Sequence, residues 1–264
     1  MTMSRTRLVM GNWKMHGNLA DNAKLLAGLR AGAGSIASGT QLAVCVPFPY
    51  LAQAGDALKG SAVAWGAQDI SAQAHGAFTG EVSGAMLKDF ACRYALVGHS
   101  ERRSLHGESD QLVADKAKAA LASGLTPVVC VGESASEREA GLTDVVVKRQ
   151  LSVVVHTLGH CVSQIVVAYE PLWAIGSGLT ATPEQAQTVH SVLRTQLAAA
   201  STRAAEMRLL YGGSLSQSSA HAMFAQPDID GGLVGGASLK AAEFSAICRT
   251  AKSAALESSG KLKT

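Results

Sequence analysis

The hydrophobic residues of this chain fall into eight short runs, and longer stretches of mixed polar and apolar residues separate them. Most of the runs are apolar almost throughout, which is typical of strands buried on both faces. The longer stretches repeat apolar positions with a helical period and predict helices, for example over 18–30, 112–123, 145–158, 183–205 and 239–255. The strand-like runs are RLVMGNW, QLAVCVPF, AVAWGAQ, YALVGHS, TPVVCVGE, QIVVAYE, RLLYGGS and GGLVGG.

Local signals mark one helix start and two loose segments. Thr182 can cap a helix, Pro183 suits a first turn, and Gln185 stands where a capping box needs it. The small residues of AGAGSIASGT, over 31–40, predict an irregular link, and the tail ESSGKLKT, over 257–264, predicts a flexible end. We expect neither of the two loose segments to carry chemistry.

The alternation of strands and helices predicts an α/β fold with a parallel sheet. An open doubly wound sheet and a closed eight-stranded barrel share this alternation, so the pattern alone does not choose between them. Polar or glycine positions follow several strands, and in a barrel those strand ends meet at one mouth, where active sites form. We therefore predict one (β/α)8 barrel domain over residues 1–264, with the barrel over about 5–256. The polar or glycine positions that follow the strands are Lys14, His99, Glu133, Glu170, Ser214 and the Gly235/Gly236 pair.

Composition narrows the class of protein. The chain has 264 residues, 47% hydrophobic and 16% charged, which is ordinary for a globular domain. Its net charge of +3 includes no long basic run, so we expect no nucleic-acid partner. No apolar run approaches the ~18 residues of a membrane span, and the first residues are too polar for a signal peptide, so we expect a cytoplasmic protein. Five scattered cysteines without a C-x-x-C pair predict reduced thiols.

The stretch VVAYEPLWAIGSG places Glu170 where a buried strand stops. Shielding from water would raise the pKa of this carboxyl toward that of a useful general base, whereas the simpler alternative is a structural salt bridge. Beyond it, Trp173 and Ile175 offer apolar surface, and Gly176 and Gly178 permit unusual backbone angles. This pattern predicts a lid that closes over a small ligand, and the alternative is an ordinary surface loop.

Two further polar residues follow strands. His99 precedes Ser100, which opens a helical turn, and the positive end of that helix favours a neutral imidazole able to donate a hydrogen bond. Lys14 ends the first strand and could hold an anion. A lone histidine is more often structural, and most lysines are merely solvated.

Three glycine-rich turns, at 176–178, 212–214 and 235–236, can direct N–H groups at an anion, and they predict that the ligand is bound through a phosphate group.

GAGSIA and GSGLTA fit a dinucleotide template by letter, but neither forms a tight strand-to-helix turn, so we expect no nicotinamide cofactor. His156 and His160 have metal-pair spacing, yet Gly159 interrupts the helix and no third ligand is evident. We expect no metal.

Six motifs together, in order along nearly the whole chain, resemble the triosephosphate isomerase family. They are NWKM, VGHSERR, PVVCVGE, AYEPLWAIGSG, YGGS and DGGLVGGASL. The resemblance implies a TIM barrel that interconverts dihydroxyacetone phosphate and D-glyceraldehyde 3-phosphate through an enediolate, in glycolysis and gluconeogenesis, without a cofactor. It also implies that the lid keeps the enediolate from water and from eliminating its phosphate.

By the same resemblance, Glu170 is the base, neutral His99 polarises the carbonyl, and Lys14 with Asn12 holds the substrate and balances negative charge. The residues that match the phosphate grip are Gly176, Ser214, Gly235 and Gly236. The residues expected behind the reacting groups are Glu101, near Lys14, together with Ser100 and Cys130.

The family is usually dimeric, and its third loop inserts into the neighbouring subunit. The matching stretch here is QDISAQAHGAFTGE, from Gln68 to Glu81, with Thr79 expected to reach the partner's Lys14 and the partner's His99. The alternative is a monomer in which this stretch is a plain surface loop. The chain also departs from the family pattern at His16, Leu172, Ser177 and Leu179, of which the last three bear on the closing rate of the lid.

Two other functions stay open at this point. Another phosphate-binding barrel enzyme would explain the glycine turns, but not Lys14, His99 and Glu170 together. A binding or regulatory protein that keeps the fold without turnover would explain all the motifs.

Overall fold

A computed structural model describes residues 5–36, 39–175 and 180–260. Within these residues, eight parallel strands pair in chain order and close into a barrel, because β1 (Arg7–Asn12) pairs with both β2 (Thr40–Val46) and β8 (Gly231–Val234). The prediction of a (β/α)8 barrel is confirmed. The remaining strands are β3 (Val63–Ala67), β4 (Tyr94–Val97), β5 (Thr126–Val131), β6 (Val166–Tyr169) and β7 (Leu209–Tyr211).

Helices cover the outside of the barrel. They are α1 (Leu19–Ala33), α2 (Leu51–Leu58), α3 (Gly84–Asp89), α4 (Ser100–His106), α5 (Asp110–Ala122), α6 (Ala135–Glu139), α7 (Thr143–Leu158), α8 (Pro183–Ala200), α9 (Gln217–Phe224) and α10 (Ala241–Gly260). The predicted capping box of Thr182 and Gln185 is present at the start of α8. No helix in the described part of the chain is long and apolar enough to cross a membrane.

The strands are mostly apolar because each one packs on both faces. Inward-facing side chains such as Leu8, Tyr94 and Leu96 fill the barrel, while outward-facing ones such as Val9 and Val97 pack under the helices. These two layers form separate clusters of buried residues, as expected for a filled barrel. All eight C-terminal strand ends therefore open at the same rim.

Several predicted boundaries were wrong. Helix α8 ends at Ala200 rather than at 205, because Ser201 adopts an extended backbone and its side chain accepts from the N–H of Arg203. The link predicted over 31–40 is shorter, since α1 continues to Ala33 and Thr40 already belongs to β2. At the other end, α10 extends to Gly260, and the flexible tail over 257–264 stays a prediction.

Candidate active site

One pocket opens at the C-terminal rim of the barrel and collects residues from distant parts of the sequence. Lys14 comes from the loop after β1, His99 from the loop after β4, and Glu170 from the loop after β6. The glycine turns after β7 and β8 complete the wall. The residues expected from the sequence that line this pocket are Asn12, Lys14, His99, Glu170, Ser214, Gly235 and Gly236.

Glu170 is almost fully buried, with 1% of its surface exposed, and follows β6 directly. Its Oε2 atom accepts a 2.8 Å hydrogen bond from the N–H of Ser100, and its Oε1 atom lies 3.0 Å from Nε2 of His99. Burial raises the pKa of Glu170, but His99 and the Ser100 N–H stabilise the carboxylate more strongly and hold that pKa below its ordinary value. The predicted rise in pKa was therefore wrong for this arrangement.

His99 caps α4 and has a defined tautomer. The N–H of Glu101 donates to Nδ1 over 3.3 Å, so the proton of the neutral ring sits on Nε2, the nitrogen that faces Glu170. The ring also stands at the positive end of α4, which disfavours a second proton. An Nε2–H group in this position is a hydrogen-bond donor directed into the pocket.

The pKa of His99 nevertheless differs from the expectation of a ring held neutral. Burial lowers this pKa, but the Glu170 carboxylate and Glu101 together raise it by more, so that the pKa lies above its ordinary value. Lys14 opposes this effect. The sequence expectation considered only the helix terminus and missed the carboxylate that the fold places 3.0 Å away.

Lys14 has a left-handed backbone, with φ of 51°, which is uncommon for a residue other than glycine. Two side chains hold this conformation: Asn12 accepts from the N–H of Lys14 over 2.9 Å, and Gln68 donates to its carbonyl oxygen over 2.9 Å. The ammonium group forms an ion pair with Glu101. Strained backbone that is held this firmly is common at functional sites.

The glycine turns leave room for an anion. A side chain at Gly236 would meet nothing within 4 Å, and one at Gly235 would lie 3.5 Å from Cε of Lys14, so this turn adjoins the lysine. A short 3-10 helix begins at Gly236 and directs its N-terminus at the same region. Ser214 is on the facing turn, where its hydroxyl donates to the carbonyl of Ala174 over 2.9 Å. Gly176 lies outside the described residues.

Cys130 is an inward-facing residue of β5 and is fully buried beneath the pocket. Burial raises the pKa of its thiol far above the ordinary value, and the neighbouring Glu170 raises it further. The thiol is therefore neutral, and it contacts Glu170 as a hydrogen-bonding partner rather than as a nucleophile.

The predicted dimer loop divides into two parts. Thr79 and Glu81 are exposed, whereas Gln68 is half-buried and bonds to carbonyls of its own chain, at Lys14 and Cys45. Glu133, which the sequence grouped with the pocket residues, is also elsewhere: it has no exposed surface and accepts from Tyr169 and Trp173.

The sequence also missed part of the pocket wall. The side chain of Leu233 lines the pocket from β8, and the inward position of this residue could have been found from its alternation with Val234. Ser216, Ser218 and Ser219 line it from the start of α9, where Ser216 forms a capping box with Ser219. The run SLSQSS carries that capping signal, but no local pattern connects it with the site.

Comparisons with known proteins agree with this geometry. A family model described as triosephosphate isomerase matches residues 7–251. The triosephosphate isomerase of Paracidovorax citrulli is 62% identical over 244 residues, which cover 92% of this chain and 97% of that protein. The triosephosphate isomerase of Thiobacillus denitrificans is 59% identical over 249 residues, which cover 94% and 99%. This chain therefore belongs to the triosephosphate isomerase family.

Proposed function

We propose that this chain interconverts dihydroxyacetone phosphate and D-glyceraldehyde 3-phosphate, as a step of glycolysis and gluconeogenesis, with Glu170 as the base, His99 as the electrophile and Lys14 as the fixed positive charge. The observation that carries the proposal is the meeting of these three side chains, from three strand ends, in one pocket beside a glycine-lined anion site.

Glu170 moves a proton between adjacent carbons of the substrate. Before it can do so, its carboxylate must leave His99 and the N–H of Ser100 and turn toward the substrate carbon. Those two contacts, with a smaller contribution from Cys130, are what lower its pKa, whereas its burial remains. The same movement therefore raises the pKa of Glu170 and makes it a stronger base where it meets the substrate.

The movement of Glu170 also changes His99. The carboxylate is the main cause that raises the pKa of this ring, so its departure leaves burial and Lys14, which lower that pKa, opposed only by Glu101, which raises it. The Nε2–H group then donates to the substrate oxygen as a neutral imidazole. Handing that proton to one enediolate oxygen leaves the ring as an imidazolate, which takes a proton back from the other oxygen and is neutral again at the end of the step.

Lys14 stabilises the negative charge that develops on the enediolate oxygens, and Asn12 holds the lysine in place. The N–H groups of the turn at Gly235 and Gly236 bind the phosphate, and the hydroxyl of Ser214 joins them when it turns away from the carbonyl of Ala174. By similarity to the family, Gly176 contributes to the same grip. A lid over this pocket stays part of the proposal, because the segment 176–179 lies outside the described residues.

The experiment that tests the catalytic roles is a coupled assay with glyceraldehyde 3-phosphate. The Glu170→Gln variant keeps the shape of the side chain but cannot take a proton, so kcat should fall by at least about 100-fold. Glu206→Gln, an exposed glutamate, is the matched control and should equal the wild type. Equal rates for Glu170→Gln and wild type would exclude Glu170 as the base. A wild-type protein that binds a substrate analogue without turnover would establish the binding-protein alternative instead.

We also propose a cytoplasmic homodimer. Large apolar side chains are exposed on the loops after β1, β2 and β3 and on α4: Met15, at 95%, Leu105, at 78%, Phe78, at 45%, and Phe48, at 37%. A partner that received Thr79 and the rest of the third loop would cover such residues. Sedimentation at micromolar concentration should give a dimer, and a monomer alone would contradict the proposal.

The cytoplasmic location is supported by the five cysteines, which are all free, as in a reducing compartment. Cell fractionation tests this location.

A further inference from the structure

The carboxylate of Glu133, at the end of β5, is buried completely and gathers three donors. Its Oε1 atom accepts from Tyr169 over 3.1 Å, from Nε1 of Trp173 over 2.9 Å and from Thr143 over 3.3 Å. Tyr169 immediately precedes Glu170, and Trp173 stands three residues after it. Glu133 therefore holds the chain on both sides of the proposed base.

A buried carboxylate needs a counter-charge, and Arg138 supplies one. Its Nη1 atom lies 3.6 Å from Oε1 of Glu133, and Cζ of its guanidinium lies 3.9 Å from the centre of the Trp173 ring. The flat group thus contacts both partners of the Trp173–Glu133 hydrogen bond at once, in a cation–π geometry. Arg138 is on α6, which a capping box of Ser134 and Glu137 fixes at its start.

The backbone after β6 depends on the same corner of the barrel. The N–H of Glu170 donates to the carbonyl of Val131 over 2.7 Å, and the N–H of Leu172 donates to the carbonyl of Glu133 over 3.1 Å. A displacement of Trp173 would pull on this short segment, and so on the carbonyl and side chain of Glu170. A shift of 1 Å in a reacting group can cost 100-fold in rate.

We propose that Arg138 is a positioning residue for Glu170: it clamps the indole of Trp173 onto Glu133, and this clamp fixes the segment that carries the base. The inference rests on the proposed role of Glu170. Arg138 does not line the pocket that holds Lys14 and His99, so it acts through Trp173 and Glu133 rather than on the substrate.

The test compares Arg138→Ala and Arg138→Lys with Arg203→Ala, which removes an exposed arginine from a surface ion pair with Glu206. We expect Arg138→Ala to lower kcat by about tenfold, equivalent to about 1.4 kcal/mol. KM should change less than about threefold, because the anion site lies on other strand ends. Arg138→Lys keeps the charge but loses the flat stack, so it should fall between wild type and Arg138→Ala. Arg203→Ala should match the wild type.

The outcomes separate this inference from the proposed function. A kcat of Arg138→Ala within twofold of the wild type, or a loss confined to KM, would overturn the positioning role. If Arg138→Ala, Arg138→Lys and Arg203→Ala all lost the same amount of kcat, the loss would reflect a general effect on stability. That result would also overturn the positioning role of Arg138. Should Arg138→Ala not fold, Arg138→Lys decides: a kcat lowered at least threefold supports the clamp, and an unchanged kcat refutes it. If Glu170→Gln were fully active, the base assignment would fail whatever Arg138 does.

Discussion

His190 gives a prediction about acid stability whose size follows from its surroundings. The ring is completely buried on α8, its Nδ1 lies 3.2 Å from the carbonyl oxygen of Asp228, and its Nε2 has no hydrogen-bond partner among the described residues. It packs edge-on against the ring of Tyr169. The charged groups that influence it are Asp228, Asp230 and Arg194. A second proton, on Nε2, would therefore place a charge where no acceptor faces it.

Burial lowers the pKa of His190 from 6.5 to about 4, although Asp228 and Asp230 oppose this shift. Above pH 6.5 the ring is neutral in both folded and unfolded chains, and the shift has no effect. As the pH falls from 6.5 toward 4, His190 binds a proton in the unfolded chain but not in the folded chain, so the free energy of unfolding falls. Below pH 4 His190 is protonated in both, and the loss no longer grows. At about 1.36 kcal/mol per unit, the loss reaches about 3 kcal/mol at pH 4.

The assay is urea unfolding of the wild type and of His190→Asn at pH 7, 5 and 4, at one protein concentration. Asparagine can keep the donor to the carbonyl of Asp228 but does not titrate, so the variant should lose about 3 kcal/mol less than the wild type between pH 7 and 4. His160→Asn, at an exposed histidine, is the matched control and should follow the wild type. A stability difference between wild type and His190→Asn that stays constant with pH would refute the reasoning.

Two further substitutions probe the barrel. Gly132→Ala would place a methyl group 1.8 Å from the carbonyl oxygen of Glu170, so β6 must shift and kcat should fall about 100-fold; Gly34→Ala, where a methyl group meets nothing within 4 Å, is the control, and equal activities would contradict this packing. Lys116→Met removes a buried ammonium that contacts Asp69 at 2.7 Å and Glu108 at 2.6 Å. The loss of this partner destabilises two buried carboxylates, so urea unfolding should show a loss of about 3 kcal/mol. Arg102 still contacts both carboxylates and keeps the loss from being larger. An unchanged midpoint would contradict this prediction.

The fold could be predicted from the sequence because its signals are local. Runs that are apolar throughout, such as VVAY before Glu170, indicate buried parallel strands, and the Thr182 capping box fixed one helix start within a residue. Helix ends were less certain, since α8 stops at Ala200 through the extended backbone of Ser201, for which the sequence has no strong signal.

Within the site, the sequence predicted which residues meet but not how they bias one another. The pKa of Glu170 depends on His99 and on the N–H of Ser100, about 70 positions earlier in the chain, and no local pattern specifies that contact. Glu133 shows the same limit: its place at a strand end suggested the pocket, yet the fold directs it to Trp173. Such choices depend on side-chain direction, which tertiary packing decides.

The left-handed backbone of Lys14 has a consequence for turnover. A lysine stem is long and has many rotamers, so an unrestrained ammonium would have to be ordered each time a substrate arrived. Here the amide of Asn12 and the amide of Gln68 fix the peptide units on either side of the lysine as the chain folds. The ion pair with Glu101 holds the ammonium group at the other end of the side chain. Each new substrate thus meets a cation that is already positioned, and part of the loss of entropy occurs once per folding event rather than once per catalytic cycle.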